Sequence, residues 1–100
     1  MKANRVVLSS FAQRDLAEIF KYVESESPGR VKSWLDEIDR GLGRLCRLPK
    51  TGTVPKDEVL AARGYLAAEI GQCLAFYVLR RNRIEIRRLL LGKGEYSFLL

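Results

Sequence analysis

The chain opens on a short β-branched run, Arg5-Val6-Val7-Leu8, closed by Ser9-Ser10, which reads as a first strand. Behind it the spacing of apolar positions changes. Ala12, Leu16, Ile19, Phe20 and Val23 recur at helical intervals, with Ser9 or Ser10 placed to cap a first helix and Ser27-Pro28-Gly29 to stop it. Asp15 and Glu18 suit the positive start of that helix. A second stripe, Val31, Trp34, Leu35, Ile38, Leu42 and Leu45, predicts a second helix from Gly29 or Arg30 to just before Pro49, with Arg44 and Arg47 near its negative end. Gly41 and Gly43 weaken it by up to about 1 kcal/mol each relative to alanine. Close approach of the first helix would account for them. Two helices joined through Pro28-Gly29 read as a helical hairpin.

Residues 50–62, punctuated by Gly52 and Pro55, read as a loop. Three strands follow over 65–70, 73–80 and 83–91, joined by the two-residue connections Gly71-Gln72 and Arg81-Asn82. Gly92 breaks the last strand, and residues 95–100 form a short apolar tail. The order β-α-α-β-β-β predicts an α+β fold, a helical hairpin packed on one face of a small, mostly antiparallel sheet, with residues 1–100 as a single domain.

Charge adds to this picture because it is unevenly placed. The net charge is +6, and residues 80–93 hold six basic residues (Arg80, Arg81, Arg83, Arg87, Arg88 and Lys93) against the single acid Glu85. Basic residues on strands also keep sheet edges from pairing with other chains. Five arginines within residues 80–88 exceed that need, and the guanidinium fork suits carboxylates and phosphates. The pattern points to a surface that grips an acidic macromolecule. Cys46 and Cys73 lie in apolar runs without a CxxC spacing and read as small hydrophobes in a reducing, cytoplasmic setting. The apolar run after the basic start is too short for a signal sequence or a membrane span.

The chain has no histidine, which excludes Ser-His triads and nearly all His-based metal sites. It has no P-loop and no dinucleotide fingerprint, so no cofactor or metal is expected. Phosphodiester cleavage by Lys, Arg and Tyr stays open on these grounds.

Taken in order, Val7-Leu8-Ser9 with Ala12, Asp15-Leu16, Ile19 and Tyr22, the Pro49 and Gly52 junction, Phe76-Tyr77-Val78, and the run from Ile84 to Leu90 with Gly92 resemble the ParE/RelE toxin superfamily over nearly the whole chain. Leu91 stands where the family often has histidine. The resemblance implies the toxin of a type II toxin–antitoxin, or plasmid stabilisation, system. RelE-like members cleave mRNA on the ribosome, whereas ParE-like members poison DNA gyrase by binding. RelE-like nucleases carry an arginine after the glycine-lysine turn, where this chain has Gly94, and another near the position of Glu69, whose charge repels a phosphate. A nuclease lacking those arginines loses transition-state stabilisation, which favours the ParE-like branch and a non-enzymatic toxin. The alternative is a ribosome-dependent endoribonuclease using Arg87, Lys93 and Tyr96.

On the ParE-like reading, the gyrase-binding candidates are Arg87, Arg88, Lys93, Tyr96 and Phe98. The resemblance also implies a ParD-like antitoxin with a ribbon-helix-helix part and an acidic C-terminal segment, forming a hetero-oligomer with the toxin. Its candidate contacts are Phe11, Tyr22, Trp34, Arg40, Arg44 and Arg47, although Trp34 fits the helix core equally well. Neither sequence-specific DNA binding by this chain nor a membrane partner is expected.

Overall fold

The computed structural model describes residues 5–92. Arg5–Leu8 forms strand β1, and Ser10–Glu26 forms helix α1. Ser9 is its cap: the hydroxyl accepts from the Ala12 N–H at 3.1 Å. After a 3-10 turn at Pro28–Arg30, helix α2 runs over Val31–Arg47. Strands β2 (Leu66–Ile70), β3 (Cys73–Arg80) and β4 (Arg83–Leu91) follow. The four strands make one mixed sheet in the order β1-β4-β3-β2, with β1 parallel to β4 and the other pairings antiparallel. The architecture is the expected α+β one, a helical pair on a small sheet.

Alternation along the strands sends Val6, Leu8, Ile84, Ile86 and Leu89 to the helical face, where they meet Ala12, Ile19, Trp34, Ile38 and Leu45. Leu35 falls outside this core, 40% exposed. The opposite face carries a smaller cluster of Leu60, Ala67 and Phe76. Leu60 belongs to a five-residue helix α3, Glu58–Ala62, inside the segment expected to be loop. The Asp57 side chain caps it by accepting from the Leu60 N–H at 3.0 Å. With both faces of β3 covered, its near-continuous apolar sequence is explained.

The glycines of α2 serve a different purpose from the one expected. A Cβ on Gly41 would lie 2.5 Å from the Ile70 Cγ2, so this glycine lets α2 approach β2, not α1. On Gly43 the nearest such neighbour is the Arg47 guanidinium at 3.6 Å, and no helix approach depends on it. We expect Gly41→Ala to destabilise by about 1–2 kcal/mol in urea unfolding, overpacking against Ile70 outweighing the gain in helix propensity. An unchanged midpoint would show that Ile70 moves freely. Gly71 and Gln72, with φ of 54° and 65°, form the tight β2–β3 turn, and Gly71 also leaves room for Ile38.

Tyr77 is fully buried, and its hydroxyl donates to the Pro49 carbonyl at 2.8 Å while accepting from the Gly52 N–H at 3.0 Å. That pair of bonds ties the exit of α2 to the middle of β3. Among the described residues no helix is long and apolar enough to cross a membrane.

Candidate functional site

β4 carries the arginines and is irregular where they cluster. Phe76 faces Arg88 and Tyr77 faces Ile86, so Arg87 is an extra residue in the β3–β4 ladder. This bulge lets Ile86 and Leu89, three apart, share the inner face. It also leaves backbone groups to satisfy, and the start of α1 satisfies them. The Ser9 hydroxyl donates to the Arg87 carbonyl at 2.9 Å, and Asp15 accepts from the Leu89 N–H at 3.0 Å.

Asp15 also takes the Arg88 guanidinium in a forked contact, 2.7 Å from Nε and 3.0 Å from Nη2. Both side chains are only about a fifth exposed, Arg88 at 21% and Asp15 at 16%. The hydrogen bond from Arg88 to Asp15 raises the guanidinium's pKa further. One expectation is corrected here. Asp15 lies beyond the first turn of α1, which holds no acid, and it binds β4 instead of serving the helix dipole. Arg88, which also lines the outer face of β4, is thereby tied to the helix.

Arg87 lies on the outer face with Arg83, and Glu85 sits between them. Arg83 Nε donates to Glu85 at 2.7 Å, and Arg87 donates through Nε at 3.2 Å and Nη2 at 2.9 Å. Hydrogen bonds from Arg83, then from Arg87, hold the Glu85 carboxyl below its usual range. The register sets Arg5 opposite Arg83 and Val7 opposite Glu85. An open groove of about 740 Å³ results, lined by Arg5, Arg83, Arg87 and Arg88 with Val7, Phe11 and Tyr65. Arg5, Val7 and Tyr65 escaped sequence reasoning because only the parallel pairing and the chain path after α3 bring them here. Lys93, Tyr96 and Phe98 lie outside the described residues.

The antitoxin candidates do not form one patch. Phe11, 61% exposed, borders the outer groove. Tyr22 lies eleven positions along the same helix, about 16 Å away at 1.5 Å per residue. It borders a second groove of about 720 Å³ between the helical turn and the β2–β3 turn, with Val23, Arg30, Trp34, Cys73 and Leu91. Arg40 and Arg44 flank the edge of β2 beside Glu37 and Glu69, and Arg47 is exposed at the end of α2. Of the two readings of Trp34, its position fits the core one: it is 3% exposed, and its indole N–H donates to the Gly71 carbonyl at 2.9 Å. Burial pushes the neighbouring Cys73 thiol up to about 11, so it stays protonated and unreactive near neutral pH. Among the described residues no group of three or more Cys, Asp or Glu side chains is placed to hold a metal ion.

Residues 6–96 match the family model described as ParE toxin of type II toxin-antitoxin system, parDE. The fold is similar to a solved structure described as the chromosomal ParDE TA system from P. aeruginosa. The TM-score is 0.71 at 16% identity, over 91% of this chain and 98% of that one. No curated protein matches the sequence.

Proposed function

We propose that this chain, which belongs to the ParE toxin family of type II toxin–antitoxin systems, inhibits DNA gyrase by binding it and is neutralised by a ParD-like antitoxin. The observation that carries the reading is the family match across residues 6–96, and it favours a binding toxin over the ribonuclease alternative. The arginines agree with that preference. Arg87, which the nuclease reading needs, is engaged by Glu85, and a carboxylate there would repel a scissile phosphate. Glu69 is exposed on β2, near the place where the resemblance puts an arginine in the nuclease branch.

On this reading the toxin works in the cytoplasm as a single domain, in a hetero-oligomer with its antitoxin. The similar fold from P. aeruginosa belongs to a ParDE system, which supports a ParD-like partner. The second groove, where Glu26 and Glu69 outnumber Arg30, suits the apolar side of an amphipathic acidic segment of that antitoxin at Tyr22, Val23 and Leu91, while Arg40, Arg44 and Arg47 offer positive contacts outside it. Gyrase would meet Arg87 together with Lys93, Tyr96 and Phe98.

Purified toxin is expected to inhibit gyrase supercoiling. Arg87→Ala, or removal of residues 95–100, should raise the inhibitory concentration by roughly tenfold. Unaltered inhibition by folded variants would remove these residues from the contact. Cleavage of A-site codons on programmed ribosomes, seen by primer extension, would overturn the reading as a whole.

A further inference from the structure

The outer groove contains an anion already. Glu85 lies on its floor, bonded on one side to Arg83 and on the other to Arg87. Arg5 stands beside Arg83 across the β1–β4 pairing. Arg83 and Arg87 keep 48% and 36% of their side chains exposed, so each can accept a second partner without breaking its first bond. Val7, Phe11 and Tyr65 add apolar and aromatic lining.

We propose that this groove docks an extended acidic segment of a partner protein, and that Glu85 is a built-in competitor that holds the arginines in place and limits affinity for that segment. Charge complementarity names the occupant. Four arginines face one glutamate within the groove, and Asp15 engages one of the four, Arg88, from the helix side. The remaining excess is positive. An extended peptide points successive side chains to opposite sides, so alternate acids share one side and can reach Arg5, Arg83 and Arg87 together. A nucleic acid fits less well. Its phosphates recur without interruption, and a run of them laid along β4 would be carried over Glu85. The proposal rests on reading Arg87 as a partner contact and is independent of whether that partner is gyrase.

The test measures fluorescence anisotropy of two labelled probes, a peptide alternating glutamate and leucine and an oligouridylate, with the full chain at low salt. The peptide is expected to bind wild type more tightly than the oligouridylate does. Glu85→Gln should tighten peptide binding by roughly threefold to tenfold, through removal of one like charge near the ligand. Arg83→Ala with Arg87→Ala should weaken it more than about tenfold. Arg80→Ala, outside the groove, should change it less than about twofold. If circular dichroism shows the double variant to be unfolded, Arg5→Ala takes its place, with an expected loss of about threefold. Tighter binding of oligouridylate would overturn the proposal in favour of a nucleic-acid surface. Peptide affinity that is unmoved or weakened by Glu85→Gln would overturn the competitor role. Affinity indifferent to the groove arginines would overturn the site. Peptide binding by a protein that does not inhibit gyrase would leave the groove standing and refute only the gyrase reading.

Discussion

Asp15→Ala is expected to destabilise the protein by about 2–4 kcal/mol, measured by urea unfolding followed through the fluorescence of Trp34, the single tryptophan. The size follows from what one carboxylate does. It neutralises Arg88 and it terminates the Leu89 N–H at the bulge. Removing it takes a forked ion pair from a mostly buried guanidinium and the acceptor from an amide at the same time. Asp15→Asn keeps an acceptor for the amide but loses the charge, and should cost less, about 1–2 kcal/mol. Adding Arg88→Met to Asp15→Ala should recover part of the loss, because the uncompensated charge goes too. A cost for Asp15→Ala below about 0.5 kcal/mol would mean that Arg88 finds water or another partner at no penalty.

The second large effect separates two roles for Trp34. As a core residue its replacement by alanine should cost about 3–5 kcal/mol, measured by circular dichroism because the fluorophore is lost. Trp34→Phe keeps most of the volume and removes the donor to the Gly71 carbonyl, so about 1–2 kcal/mol is expected. An interface anchor behaves in the opposite way. It would leave stability nearly unchanged and weaken antitoxin binding. If Trp34→Ala unfolds in urea at the wild-type midpoint, the core assignment fails.

Local chemistry made much of the fold legible. Strands β3 and β4 begin and end where their apolar runs do, Ser9 caps the helix it precedes, and two short connections yield two hairpins. Helix α3 escaped because five residues between glycine- and proline-marked segments give too little periodicity to read. Its signal was Asp57 directly before Glu58-Val59-Leu60, an N-cap pattern. The purpose of Gly41 could not be read, because its neighbour Ile70 lies on a different element.

The site was legible in kind but not in arrangement. The excess of arginine near Arg83 and Arg87 is plain in the chain. Which of those arginines are engaged is not, since the Asp15–Arg88 contact joins residues 73 positions apart. Sequence spacing also hides the bulge, which turns Arg87 outward to Glu85 while the adjacent Arg88 reaches Asp15. Parallel pairing of β1 with β4 likewise adds Arg5 to the groove from the far end of the chain.

That same pairing governs when the molecule can fold. β4 lies inside the sheet, between β1 and β3, yet it is the last of the described strands to be synthesised. Ser9 meets the Arg87 carbonyl across 78 positions, so β1 and much of the apolar stripe of α1 must wait for β4 before they are covered. Contacts that close such long loops slow folding and leave apolar surface open meanwhile. The basic groove, assembled from both of those strands, therefore comes into being only at the end of folding, and a nascent chain that stops short of β4 has no such surface with which to engage a target.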